Sequence, residues 1–163
     1  MYDMGLSETG QLAQNQIAGS NGSTTWGLGP EVIYDTRDKV QSPRSGWRVQ
    51  AGWRWHPAWF AETTAFGFGQ IDARHYHLVQ PQVVWAKRLL FRQVKGTAPF
   101  REMAMAGGSD FARGYFEGRF RDNCLLGIEN EWRWQMYQRL AWNFFITGLQ
   151  VAPERPMLFQ HPW

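Results

Sequence analysis

The sequence of 163 residues has a single cysteine, no long apolar run and no visible export signal. Cys124 is alone, so no disulfide forms within the chain. No window of about 18 consecutive apolar residues occurs, which excludes a transmembrane helix. Residues 1–27 lack a basic start followed by an apolar stretch, so we do not interpret them as a signal peptide. We expect a polar loop or strand-edge segment there.

Motifs for catalysis and metal binding are also missing. A serine nucleophile elbow, a phosphate-binding loop and a Cys–His pair do not occur, so no enzymatic activity is predicted. His75 and His77 share one face of a predicted strand, but no third ligand follows at a useful spacing, so neither a metal nor a cofactor is predicted. The net charge is +3, but the arginines are spread over alternating positions, so nucleic acid is not a predicted partner.

Tryptophan, in contrast, is abundant, with ten residues in the chain. Trp prefers sites with one apolar and one wet side, such as the interfaces of a membrane. The mean hydropathy of −0.47 does not exclude a membrane protein. A β-barrel strand needs only about 9 to 11 residues and carries lipid-facing groups at every second position. Alternation with period two is therefore the relevant signal.

Two segments alternate clearly between apolar and polar residues. From Gly46 to His56, three Trp, a Val and an Ala occupy the odd positions, and polar residues or glycine occupy the even ones. The segment from Leu125 to Met136 repeats this pattern in the opposite parity. A face rich in Trp opposite a charged face fits lipid on one side and a polar lumen on the other better than a half-buried soluble sheet.

Four more strands are predicted, and turn signals separate all six into an antiparallel meander. Lys87 lies on the apolar face of its strand, where a lysine near a membrane interface can snorkel. The four segments are Leu28 to Arg37, Thr63 to Val79, Gln82 to Arg92 and Arg139 to Gln150.

Residues 96–123 are too rich in glycine and charge to be core, and they predict a long structured loop. Gly107 and Gly108 allow a sharp turn into it. Glu129 and Glu131 share the polar face of the next strand, where they would provide charged partners for Arg113 in a confined lumen. The residues alone leave two interpretations open, namely this docked loop and an exposed loop with ordinary surface charges.

Several motifs in a fixed order give the chain a resemblance to a known family. From about Leu28 to Val151, the chain resembles the C-terminal barrel of the BamA/TamA surface-antigen family. The motifs are Tyr34-Asp35-Thr36-Arg37-Asp38, Pro43-Arg44-Ser45-Gly46, Ala86-Lys87-Arg88, Pro99-Phe100, Gly107-Gly108, Ala112-Arg113-Gly114-Tyr115, Gly118-Arg119 and Glu131-Trp132-Arg133. The resemblance implies a barrel of roughly sixteen strands, of which residues 28–151 would supply about six to eight.

The resemblance also implies roles for the loop, which would be extracellular and fold back into the lumen. Arg113 would lock it to the inner wall, beside Gly114 and Tyr115, with Glu129 and Glu131 as acceptors. Gly114 would allow the backbone to approach the wall closely. Further lumenal charges would come from Arg119, Asp122 and the pair Asp35–Arg37. Ile146 stands where family members often carry an acidic residue in the next strand.

By the same resemblance, the function is to insert or translocate proteins across the bacterial outer membrane. Expected partners are membrane lipid, lipopolysaccharide, client proteins, and periplasmic domains or accessory subunits outside this chain. Two alternatives remain, namely the barrel anchor or export domain of a fused patatin-like hydrolase, and a passive porin-like barrel or a soluble sheet protein. Six strands are too few for a membrane barrel, and residues 152–163 offer no closing strand, so we expect a truncated tail and a fragment of a larger protein.

Overall fold

The structure is a computed structural model that describes residues 24–60, 64–137 and 139–159. Residues 1–23 of the predicted polar segment and residues 160–163 of the predicted tail lie outside this range. No helix in the described residues is both long and apolar enough to cross a membrane.

The described chain is all-β, and its main element is an antiparallel sheet with the order β1-β2-β3-β4-β7-β8. The predicted antiparallel meander of six strands is therefore confirmed. The short strands β5 and β6 pair with each other inside the loop between β4 and β7. The eight strands are β1 (Glu31–Asp35), β2 (Gly46–His56), β3 (Phe66–Gln80), β4 (Val83–Gly96), β5 (Ala104–Ala106), β6 (Phe120–Asp122), β7 (Cys124–Tyr137) and β8 (Leu140–Ala152). Three short 3-10 helices span Ala58–Phe60, Phe100–Glu102 and Arg155–Phe159.

The strand bounds follow the alternation closely in some strands and less closely in others. Strand β2 has the predicted limits. Strand β1 is shorter than predicted and begins at Glu31, because Leu28 makes only an isolated bridge to Trp55 of β2. Strand β4 continues past the predicted end at Arg92, since its pairing with β3 extends to Phe66 opposite Gly96. The polar Gln93 and Lys95 on the otherwise apolar side hide this extension in the sequence.

The register gives the sheet two contrasting faces, because successive side chains of a strand point to opposite sides. All tryptophans of the six strands lie on one side, here called the aromatic face. The opposite side, here called the loop face, carries the ionisable groups described below. The aromatic face includes Trp47, Trp53, Trp55, Trp85, Trp132, Trp134 and Trp142, and the loop face includes Asp72, Arg74, Arg88, Arg92, Glu129, Glu131, Arg133 and Thr147.

The two ends of the sheet also differ. The tight connection at residues 81–82, the end of β7 and the start of β8, together with residues 36–45, lie at one end, here called the turn end. The loop of residues 97–123 leaves from the opposite, loop end. It folds over the loop face, where Leu90, Ala104, Phe111 and Leu125 form the main apolar cluster. In the described residues β1 and β8 each pair with a single neighbour, so the sheet is open at both edges.

Candidate functional site

Two glycines, predicted as the hinge of the loop, form the tight turn that follows β5. Gly107 and Gly108 have φ angles of 115° and 80°, in the region that favours glycine. A Cβ atom on Gly107 would overlap the carbonyl oxygen of Phe116. The Gly107 N–H donates to the Phe111 carbonyl at 3.0 Å, which closes the turn. Glycine is thus required here by conformation and by space.

Phe111 is the apolar anchor of the loop. Its side chain is 1% exposed, and its ring fills the space above Gly127 in β7, where a Cβ atom would overlap it. Leu90 and Leu125 complete the surrounding cluster. Full burial of a phenylalanine contributes about 1.5–3 kcal/mol, so this contact holds the loop on the sheet, and the Arg88 guanidinium lies 5.3 Å from the centre of the ring.

On one side of Phe111, Asp110 reaches a group of arginines on β3 and β4. The Arg88 guanidinium lies 2.8 Å from the Asp72 carboxylate and 3.1 Å from that of Asp110. Arg74 contacts Asp72 at 2.7 Å, and Arg92 lies 3.5 Å from Asp110. The loop thus adds a second carboxylate to a group that holds three arginines and one aspartate from the sheet.

The same surroundings set the ionisation of Asp110. Partial burial alone would raise the pKa of its carboxyl group, but the hydrogen bond from Arg88 and the charges of Arg88, Arg74 and Arg92 outweigh it and lower that pKa. The side chain is still 56% exposed, so water weakens the attraction. Asp110 is therefore ionised when it meets the arginines.

On the other side of Phe111, Arg113 reaches the acidic residues of β7. Its guanidinium lies 3.1 Å from Glu131 and 3.4 Å from Glu129, and 4.4 Å from the centre of the Phe145 ring. Arg133 also contacts Glu131, at 3.0 Å. The structure therefore brings together Arg113, Glu129 and Glu131, the residues that the sequence predicts to meet.

The loop consequently presents a negative, an apolar and a positive side chain to three matching places on the sheet. Asp110 meets arginines, Phe111 meets Gly127, and Arg113 meets glutamates. A polar cavity of about 150 Å³ lies between the two charged groups. Among the described residues no cluster of three His, Cys, Asp or Glu side chains suits a metal ion. The arrangement is suited to fixing the loop in one orientation.

Other predicted site residues lie elsewhere or act differently. A Cβ atom on Gly114 would meet no atom within 4 Å, so the close approach expected there is wrong. Tyr115 is 55% exposed and packs against Phe120 of the loop itself, with ring centres 4.9 Å apart. This position leaves Tyr115 away from the inner contacts of Arg113.

The predicted supporting charges are not near Arg113. In the described part of the chain, Arg119 is exposed and its side chain has no ionic partner. The Asp122 carboxylate accepts from the backbone N–H of Asn123 at 2.8 Å. Asp35 and Arg37 form the ion pair that their spacing predicts, at 2.6 Å, on the loop face at the β1 edge of the sheet. These four residues therefore do not join the docking contacts.

The role given to Ile146 also changes. Ile146 pairs with Asn130 on the aromatic face and is 72% exposed, so it points away from the loop. The next residue, Thr147, lies on the loop face, and its hydroxyl group donates a hydrogen bond to the Glu129 carboxylate at 3.1 Å. Thr147 is thus a β8 position next to the acidic residues, as is Phe145, which is paired with Glu131, because side chains alternate along the strand.

Sequence reasoning missed Phe111, Asp110 and the buried pair Asp72–Arg88. A signal for the first was present, because a glycine in the interior of a strand often marks close approach of another group, and Gly127 interrupts β7. The ionic partners carry no local signal, since they come from strands distant in sequence. No protein-family model matches the chain, and no curated protein matches it either.

Proposed function

We propose that the chain forms part of the wall of a bacterial outer-membrane β-barrel of the BamA/TamA surface-antigen kind, which inserts or translocates other proteins. In this proposal the aromatic face contacts lipid and the loop face lines the lumen. The observation that carries it is the contrast between the faces. One holds every strand tryptophan and no strand carboxylate, and the other holds the paired charges under the loop.

The dimensions and the order of side chains support the membrane position. Apart from β1, the strands of the six-stranded sheet have 11 to 15 residues, and a tilted transmembrane strand needs about 9 to 11. Trp53 and Trp55 lie toward the loop end, and Trp85 and Trp132 toward the turn end. Aliphatic side chains such as Leu89 lie between them. Aromatic girdles on both sides of an apolar band are typical of outer-membrane barrels.

The open edges of the sheet support a larger barrel. In lipid, each unsatisfied backbone group costs several kcal/mol, and both β1 and β8 present such groups in the described sheet. Further strands would pair with them in the proposed barrel of roughly sixteen strands.

The docked loop supports the family function. Arg113, with Glu129 and Glu131, would hold the loop against the inner wall, where it occupies the path of the lumen. Charge-assisted hydrogen bonds are directional and reversible, so the loop has a defined docked state that client proteins or periplasmic partners can bias. No bond chemistry is part of this proposal.

The test is Arg113→Ala in the protein produced in its bacterial host, with Arg119→Ala as the matched control. Arg119 is an exposed arginine of the same loop with no ionic side-chain partner in the described residues. We expect Arg113→Ala to increase protease cleavage of the loop by about tenfold or more, because a charge-assisted contact contributes about 1.5–3 kcal/mol. The amount of client outer-membrane proteins should fall, while the variant itself still reaches the membrane.

Two results would contradict the proposal. Unchanged loop cleavage and unchanged client levels in Arg113→Ala would contradict the proposed role of Arg113 in holding the loop. Recovery of the wild-type protein in a soluble fraction without detergent would contradict the proposed membrane barrel.

A further inference from the structure

Lys87 is a cation on a face that offers it no acidic partner. The carboxylates of the six strands, Glu31, Asp35, Asp72, Glu129 and Glu131, all lie on the loop face. If the aromatic face contacts lipid, an unpaired lysine there costs about 2–4 kcal/mol at the midplane and about 0–1 kcal/mol near an interface. Lys87 thus needs a position near the headgroups, an anion from outside the chain, or both.

The side chain of Lys87 is directed toward the turn end. Its Nζ atom lies 3.4 Å from the centre of the Trp85 ring, and Trp85 is two positions closer to the tight turn at residues 81–82. Trp85 in turn stacks on Trp132 at 5.0 Å. Tryptophans of this kind lie at the headgroup level of a membrane, so the ammonium reaches the same level.

Two histidines place further hydrogen-bond donors beside Lys87. His75 is paired with Lys87 in the register of β3 and β4, and His77 is paired with Trp85. The two imidazole rings are 6.3 Å apart. One ammonium and two imidazoles on adjacent positions suit a ligand with several acceptor oxygens and negative charge.

We propose that Lys87, His75 and His77 bind the phosphate of a phospholipid headgroup in the leaflet at the turn end. This inference rests on the proposed membrane position of the sheet. The neighbouring Leu89 and Ala73 extend from this site toward the middle of the aromatic face and would contact the acyl chains. A lipid, rather than free phosphate, therefore satisfies the polar and the apolar part of the site together.

The test compares Lys87→Met with Lys95→Met in the full-length protein that contains this chain. Lys95 is the other lysine of the aromatic face, near the loop end, where its Nζ atom lies 6.0 Å from the Trp53 ring. Each protein is folded into vesicles of phosphatidylcholine with phosphatidylglycerol and then extracted into a maltoside detergent that contains no phosphate. Native mass spectrometry counts the phospholipid molecules that stay bound.

We expect Lys87→Met to retain phospholipid about tenfold more weakly than the wild type, and Lys95→Met to retain it as the wild type does. Equal retention by wild type and Lys87→Met would overturn the lipid site and leave the membrane position untouched. Displacement of the lipid by inorganic phosphate would overturn the choice of a lipid as ligand. Failure of the wild type to enter vesicles would overturn the membrane position and this site with it.

Discussion

The two faces of the sheet reverse the usual distribution of polar and apolar groups. On the loop face, the side chains of Arg88 and Asp72 are only 8% and 7% exposed. On the aromatic face, Trp132 and Trp142 are 41% and 50% exposed. Water-soluble sheets bury the apolar face and expose the charged one. We therefore propose that the apolar face has a partner of its own and that this partner is lipid.

The contrast also bears on how firmly the loop is held. Burying ions removes them from water, and this penalty offsets much of the attraction between them. When the loop leaves, Arg88 and Glu131 regain water, so their release is less unfavourable than the number of ion pairs suggests. The burial of Phe111 on Gly127 has no such compensation. The ionic groups therefore orient the loop, and the phenylalanine supplies much of the net stability.

The largest expected effect comes from breaking a buried pair on the loop face with Arg88→Met. Removing Arg88 leaves the buried Asp72 carboxylate with Arg74 as its remaining cation, and breaking such a buried pair costs about 3–5 kcal/mol. The free energy of unfolding in urea, measured for the full-length protein in detergent micelles, should fall by that amount. Arg119→Met is the control and should change stability by less than about 0.5 kcal/mol.

A double variant keeps this prediction testable if Arg88→Met does not fold. Asp72→Asn combined with Arg88→Met removes both charges, so most of the lost stability should return. A double variant that is no more stable than the single one would show that the pair is not the cause.

The second prediction concerns the aromatic face and the substitution Ile128→Arg. Ile128 is 49% exposed, so in water an arginine there should change stability by less than about 0.5 kcal/mol. On a lipid-facing position near the middle of the membrane, it should cost about 2–4 kcal/mol. Unfolding of the protein from lipid vesicles measures the difference, and Ile128→Phe is the apolar control. Equal stability of the two variants would contradict the contrast between the faces.

Much of the sheet could be predicted from the sequence because period-two alternation is a local signal. In β2 and β7 it places tryptophan on one side and charge on the other, and the register confirms this assignment. The ends of the strands are harder to predict from the sequence, because the pairing with neighbouring strands decides how far each strand continues. The last residues of β4 pair with β3 although Gln93 and Lys95 break the apolar pattern.

The site was harder to predict from the sequence than the sheet, because most of its contacts join segments that are distant in the chain. The meeting of Arg113 with Glu131 follows from charge and from the polar face of the next strand, so it can be predicted. Asp110 and Arg88 are 22 residues apart, and nothing local pairs them. The expected role of Gly114 failed because the glycine has open space beside it, which no sequence pattern encodes.

The smallest expected effect is that of the Asp110 charge on stability, and it can be measured through its dependence on pH. The pKa of Asp110 is lowered from its ordinary value of 3.8, so its ionised form stabilises docking above that pH, and the stabilisation is lost as the pH falls through the lower, folded-state value. The unfolding free energy of the wild type should exceed that of Asp110→Asn at pH 7, by less than about 1 kcal/mol because the side chain is largely exposed. At a pH below the folded-state pKa of Asp110 the difference should shrink, since both side chains are then neutral. Comparing the two proteins at the same pH cancels the titration of the other carboxylates that they share. A difference that stays constant between the two pH values would show that the charge of Asp110 does not hold the loop.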